Sequence, residues 1–328
     1  MQLVINSYGS YLRKKENCFL VKNEDKVSEV SVKKVDSILI TTSAYISTDA
    51  IKFAIDNNID IVFLDSLGNP YGRVWHSKLG STTKIRRLQL EYSSGTKGLE
   101  LAKGWITKKI DNQINLLNDL KNTRKNKAEQ LQVIIDNISE KKDLLKRLEG
   151  TIEEERNQIM VTEAVISKYY FSAISYILPE QYQFNGRSRN PAKDEFNCLL
   201  NYGYGVLYSL IEKSCILAGL DPYIGFLHTD NYNKKSFVFD LIEPFRPLVD
   251  KTVILLFSKR QVKKDCFDKV RGGLTLNKEG KVLLITAYNE MMEKAIHYKG
   301  RNIKNRNIVQ FECHSIANSF IKGNKKSC

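Results

Sequence analysis

Apolar residues in the first 80 positions come in short bursts separated by polar turns. Leu3-Val4-Ile5, Phe19-Leu20-Val21, the alternating run from Val27 to Val32 (VSEVSV) and Ile38-Leu39-Ile40 predict strands. One helix interrupts them: Ser47 or Thr48 can cap it, and Ala50, Ile51, Ala54 and Ile55 share a face. Ile61 to Leu64 reads as a buried strand. Leu67-Gly68-Asn69-Pro70-Tyr71-Gly72 then turns into a last strand near Val74-Trp75. Residues 77–83, SKLGSTT, read as a hinge.

Beyond residue 84 the period lengthens. Leu99 to Asn122 and Lys127 to Leu148 are rich in Lys, Glu, Leu and Ile, with Leu131, Ile134, Ile135 and Ile138 at helical spacing. The short connection Asn122-Thr123-Arg124-Lys125-Asn126 favours an antiparallel helical hairpin over an isolated coiled coil. Further apolar helices are predicted near 152–178, 194–219, 281–297 and 308–321. The expected fold class is α+β. A small β-rich N-terminal domain (1–80) and a linker (81–97) precede a large all-α C-terminal domain (98–328).

Composition narrows the classes. A chain of 328 residues with 42 % hydrophobic and 27 % charged residues is globular, and 18 Gly and 6 Pro are too few for a low-complexity or collagen-like protein. No stretch of about 18 uncharged apolar residues occurs, and the start MQLVINSYGSYLRKK lacks the apolar core of a signal peptide. A soluble cytoplasmic protein without membrane partners is expected. The six cysteines contain no C-x-x-C pair, so reduced structural thiols are expected in place of a disulfide framework or zinc ribbon.

Charge changes the picture more. The 51 Lys and Arg against 37 Asp and Glu leave +14. Half of that excess lies from Lys294 onward, where eight basic residues face the single acid Glu312. Such a surface suits a polyanion, because phosphate neutralisation releases condensed counterions. A generally Lys-rich surface serving solubility is the alternative.

The usual catalytic signatures G-x-x-x-x-G-K-[ST], G-x-S-x-G, H-E-x-x-H and G-x-G-x-x-G are missing. Of four histidines, His76, His297 and His314 read as structural, whereas His228 ends the apolar run Pro222-Tyr223-Ile224-Gly225-Phe226-Leu227-His228 and is followed by acids. Downstream, Asp240 and Glu243 lie three apart within Ser236–Pro247, so on one helical turn they would share a face. Pro244 restricts that helix to a first turn there. Apolar neighbours make an ionised carboxylate costly unless a positive group answers it, and Arg246 and a divalent cation are both candidates. Glu163 is a third acid in a core-like stretch with Val161, Ala164, Val165 and Ile166. Alone it reads as a rim residue sooner than as a ligand.

Several blocks, in order, carry a resemblance. They are Gly9, the β pattern from Ile38 through Asp65, Leu101-Ala102 with Lys109-Ile110-Asp111-Asn112-Gln113, and the run from Arg189 to Tyr204 (RNPAKDEFNCLLNYGY). Ala218-Gly219-Leu220-Asp221-Pro222, Gly225-Phe226-Leu227-His228 and the final D-L-x-E-P-F-R-P (Asp240 to Pro247) complete the set. Together they resemble the CRISPR-associated spacer-acquisition integrase, also described as an adaptation endonuclease, over most of the chain. A visible departure is Val161, where that family usually has a glycine two residues before its helix glutamate.

The resemblance implies Glu163, His228 and Glu243 as catalytic metal ligands for Mg²⁺ or Mn²⁺, with Asp240 behind them as an acid that supports a ligand without touching the ion. It implies a DNA endonuclease and integrase that inserts short foreign DNA fragments into a CRISPR array by 3′-OH attack on a phosphodiester. It also implies a homodimer, with residues 1–80 as the dimerisation domain, bridged by a small partner protein of the same adaptation module, with double-stranded DNA as substrate. Lys168, Arg187, Arg189 and Arg246 are candidate DNA contacts, each of which could instead pair with Asp194, Glu195, Asp240 or Glu243. Tyr202 and Tyr204 could stack on bases but suit a core. For residues 98–150, helical packing at a dimer or partner surface is expected. Two rivals remain: a non-enzymatic basic DNA-binding scaffold of the same complex, and an enzyme with a covalent tyrosine intermediate, in which the D-x-x-E pair would have no role.

Overall fold

The apolar bursts of the first 75 residues fold as eight strands around one helix, and longer amphipathic helices follow. The structure, a computed structural model, describes residues 1–23, 26–75, 82–229 and 234–324. Its elements begin with β1 (Gln2–Ile5), β2 (Ser10–Lys15), β3 (Cys18–Lys22), β4 (Val27–Ser31), β5 (Ser37–Ile40), β6 (Ala44–Ile46), α1 (Thr48–Asp56), β7 (Asp60–Leu64) and β8 (Pro70–Val74). There follow α2 (Thr83–Tyr92), α3 (Gly95–Thr123), α4 (Ala128–Lys146), α5 (Ile152–Ile177) and α6 (Glu195–Leu217). The chain continues through α7 (Ser236–Ile242), α8 (Arg246–Ser258), β9 (Phe267–Val270), β10 (Gly273–Leu276), α9 (Lys278–Glu293), β11 (Ala295–Tyr298), β12 (Arg301–Lys304) and α10 (Asn305–Asn324). The mixed α+β class read from the sequence is the one observed. His76 and most of the expected hinge, 77–81, lie outside the described residues.

The chain divides into two compact units. One comprises Met1–Leu79, Arg189–Ser209 and Val262–Glu293; the other Gly80–Ser188, Leu210–Gln261 and Lys294–Cys328.

In the first unit two four-stranded sheets form, ordered β1-β5-β7-β8 and β4-β3-β2-β6. β5 pairs in parallel with both β1 and β7. As a central strand it buries all four residues of SILI, which explains its unbroken apolar run. The core joins Leu12 and Phe19 to Ile38, Ile40, Ala50, Ala54 and Ile61. Ser47 caps α1, its Oγ accepting the Ala50 amide at 3.2 Å. β2 and β6 are the strands that pattern reading missed, since SYLRKK buries only Ser10 and Leu12 and AYI is three residues long.

In the second unit α3, α4 and α5 pack pairwise. Three contacts fix α3 and α4 as antiparallel: Lys121 Nζ to Gln132 Oε1 at 2.5 Å, Lys142 Nζ to Asp111 Oδ1 at 2.8 Å, and Lys103 Nζ to the Leu148 carbonyl at 2.6 Å. α5 starts with a capping box, in which Glu154 Oε2 accepts the Thr151 amide and hydroxyl at 2.9 Å each.

Two readings change. The C-terminal part is helical as expected but not purely so, because β9–β10 and β11–β12 are antiparallel hairpins. Lys299 and Gly300 both take positive φ (47° and 80°), the two-residue turn that suits hairpin twist and ends the predicted 281–297 helix at Glu293. Secondly, the expected linker 81–97 holds α2 and the start of α3. Leu88, Gln89 and Tyr92 bury one face of α2, a pattern diluted in sequence by Lys84, Arg86, Arg87 and Glu91. Among the described residues no helix is long and apolar enough to cross a membrane, and all five described cysteines are free thiols.

Candidate active site

Each candidate ligand is delivered by a different stretch of the second unit. α5 buries Ile159, Thr162, Ile166, Tyr170 and Ala173. That face leaves Glu163 at the edge of the core, its side chain 26 % exposed. The core-like reading of its neighbours is corrected here: Val161 is 57 % exposed, Ala164 is exposed and Val165 is half-buried. Only Ile166 of that set is core. The Val161 side chain therefore lies on the exposed side of α5.

His228 sits on the turn before α7, and the carboxylate of Asp240 builds that turn. Asp240 Oδ2 accepts the amides of Phe226 (2.6 Å) and Leu227 (3.2 Å), while Oδ1 accepts the His228 amide (3.0 Å) and lies 2.7 Å from His228 Nδ1. With Nδ1–H donated to Asp240, Nε2 becomes the lone-pair nitrogen. Asp240 is fully buried and the imidazole about a quarter exposed. Below the turn, the rings of Trp105 and Phe237 lie 5.2 and 5.4 Å from that of Phe226. Gly225 is obligatory, because a Cβ there would stand 2.2 Å from the His228 carbonyl oxygen. α2 braces the same loop: buried Gln89 donates to the Asp221 and Ile224 carbonyls and accepts the Asp221 amide at 2.7 Å.

Glu243 follows three residues after Asp240, at the start of a 3₁₀ turn (Glu243–Phe245) whose second residue is Pro244, the placement its missing N–H requires. The two acids nevertheless serve different partners. Asp240 closes the histidine turn, whereas Glu243 Oε1 meets Arg246 Nη2 at 3.1 Å and Glu243 Oε2 meets Lys109 Nζ at 2.7 Å. The same Lys109 ammonium contacts Glu163 Oε1, which also accepts from Ser167 Oγ at 2.7 Å. Both Lys109 and Glu243 have side chains only 5 % exposed. Burial pushes the Glu243 carboxyl up most strongly of any single influence, but Arg246, Lys109 and His228 together reverse it and hold Glu243 down at about 2.

Lys109 is the residue whose role sequence reading missed. It lies on the buried face of α3 among Ala102, Ile106, Ile110 and Gln113. A lysine in register with an apolar stripe is the signal that marks it. Three residues on, Asn112 Nδ2 donates to the Pro244 carbonyl at 2.8 Å, so α3 grips the Glu243 turn twice.

By chemistry, two carboxylates and an imidazole suit a hard divalent cation, and the two carboxylates already converge on one positive centre. Among the described residues no three His, Cys, Asp or Glu side chains are grouped so as to hold a metal ion. The position between Glu163 and Glu243 belongs to the ammonium. Of the four candidate DNA contacts, Arg246 is committed to Glu243. Arg187 lies over the Phe171 ring at 5.3 Å, and Lys168 and Arg189 are exposed, Arg189 in the first unit. Tyr202 is 1 % exposed and belongs to the core of the first unit.

This combination of a mixed N-terminal β region and a helical body is a known fold. A casposase bound to integration product aligns with TM-score 0.86 at 22 % identity, covering 98 % of this chain and 91 % of that one. A CAS1 protein from Thermotoga maritima aligns with TM-score 0.82 at 23 % identity, covering 98 % and 97 %. In sequence, the chain is 35 % identical to the CRISPR-associated endonuclease Cas1 1 of Archaeoglobus fulgidus, over 99 % of this chain and 98 % of that protein. Residues 3–290 match the family described as CRISPR associated protein Cas1. The chain belongs to that family.

Proposed function

We propose that this protein is a metal-dependent DNA endonuclease and integrase of CRISPR adaptation, using Glu163, His228 and Glu243 with Mg²⁺ or Mn²⁺. The observation that carries this reading is the convergence of Glu163 and Glu243 on one cationic centre, and a buried carboxylate three residues before Glu243 holds His228. When bound, the ion supplies charge neutralisation at the scissile phosphate and lowers the pKa of the attacking group.

The chain's own residues then have distinct tasks. Glu163 and Glu243 fix the cation. Asp240 acts as a positioning residue, orienting the His228 ring by holding Nδ1. Arg246 keeps Glu243 ionised and in one rotamer. Water as nucleophile gives cleavage. A DNA 3′-OH instead forms a new phosphodiester as the old one breaks and releases a 3′-OH strand, so the number of ester bonds is conserved and no external energy source is needed.

The wider reading is a cytoplasmic homodimer, paired through residues 1–80 and bridged by a small partner protein of the adaptation module. It holds double-stranded DNA, both the incoming fragment and the array. Family membership and the +14 excess support it. Lys168, Arg187 and Arg189 are the proposed phosphate contacts, with Arg246 reaching DNA only through its partner Glu243. The test is joining of a labelled fragment with a 3′-OH to repeat-bearing DNA, with Mn²⁺ or Mg²⁺, with EDTA, and with His228→Ala. Joining that requires the ion, the hydroxyl and His228 is expected. Joining that persists in EDTA overturns the metal mechanism. DNA binding without joining under either ion assigns a scaffold instead.

A further inference from the structure

A lysine with a 5 % exposed side chain between two acids is an expensive arrangement, since the ammonium and both carboxylates are partly stripped of water. It persists only if each charge answers another. The contacts are unequal in a telling way. Glu163 keeps Ser167 Oγ and Glu243 keeps Arg246 as independent partners, whereas the recorded polar contacts of the Lys109 ammonium are these two carboxylates. Removing the ammonium would leave both acids oriented. It would also leave two negative charges facing one position, which is what a divalent cation requires.

We propose that Lys109 is a tethered counter-cation of the candidate metal site. Its ammonium holds Glu163 and Glu243 converged in the metal-free protein, and it must vacate that place for a divalent ion to enter. Ammonium and metal cannot both sit within contact distance of the same two oxygens, because at a few ångströms their mutual repulsion is large in a weakly screened site. The four-carbon stem gives the ammonium somewhere to go, and its three rotatable donors suit a phosphate oxygen once released. Metal loading and Lys109 displacement are then one event, and divalent affinity is lower than the carboxylates alone would give. Asn112, anchored on the Pro244 carbonyl, holds α3 in place while the side chain moves. The inference rests on Glu163 and Glu243 being the metal-ligating carboxylates.

Mn²⁺ titration calorimetry on the full chain, comparing wild type with Lys109→Met, reads the competition directly, and thermal unfolding in EDTA and in Mn²⁺ accompanies it. The variant is expected to bind Mn²⁺ at least about tenfold more tightly, to melt earlier than wild type in EDTA, and to gain more from added Mn²⁺. Equal or weaker Mn²⁺ binding by a folded variant overturns the inference and leaves the metal site standing. Absence of Mn²⁺ binding in both proteins overturns the site and the inference together. Should Lys109→Met fail to fold, wild type alone decides: reductive methylation of Lys109, read by mass spectrometry, is expected to rise on Mn²⁺ saturation, and unchanged labelling overturns the displacement.

Discussion

Asp240 Oδ1 lies 2.7 Å from His228 Nδ1, and the same carboxylate accepts three consecutive backbone amides from Phe226 to His228. One side chain therefore closes a turn and sets a tautomer. Asp240→Asn keeps the shape but replaces an acceptor oxygen by a donor NH₂ facing N–H groups. A loss of about 1–3 kcal/mol in stability is expected from the unmatched buried donors. Metal affinity should fall about 10- to 100-fold as the imidazole loses its fixed tautomer. Urea unfolding and the ¹⁵N shifts of the His228 ring check the two halves separately.

Acid should find Glu243. Its folded-state value of about 2 lies below the ordinary 4.5. A carboxyl lowered on folding contributes stability that is complete above the unfolded value and lost as pH falls through the folded one. In EDTA, wild-type stability should decline between 4.5 and about 2 with a component that Glu243→Gln lacks. Urea midpoints for both proteins across that range test it, and parallel slopes would refute the assignment.

In the first unit, backbone meets backbone. A Cβ at Gly205 on α6 would stand 1.9 Å from the Gly68 carbonyl oxygen, and Gly68, at φ +89°, has the Tyr202 ring and Cα 2.9 Å from its own Cβ position. Gly205→Ala must push the 65–69 turn off α6. At least the 1–3 kcal/mol usual for overpacking is expected, because the obstacle is main chain and cannot rotate away. Chemical denaturation of the variant measures this, and a change below about 0.5 kcal/mol would contradict the packing.

How much was legible follows from where each signal lives. Ser47 as a cap, Ile61 to Leu64 as a strand and the long helices were readable because cap chemistry and periodicity are local. α2 was not, since four charged residues dilute its stripe while Gln89 spends its amide on a loop more than 130 residues away. Glu163, His228 and Glu243 came from matching blocks of sequence, and the charge reasoning around Glu243 correctly demanded a positive partner. Arg246 was named as the positive partner, whereas Lys109 was quoted only within a resembling block and given no role, because no rule of spacing links a residue on α3 to acids 54 and 134 positions downstream. Exposure of Val161 and Ala164 was misread for a related reason: a helix with apolar residues on several sides does not announce which one faces the core.

The two halves of this centre have different origins in chain connectivity. The Asp240–His228 clasp spans 12 residues, whereas the Asn112–Pro244 grip that holds Glu243 against α3 spans 132. Loop-closure entropy makes the longer link costlier by about 2 kcal/mol. The imidazole is thus furnished by its own neighbourhood, and the carboxylates by the assembled bundle. Damage that merely loosens the helices would unseat the acids first and leave the histidine clasp shut.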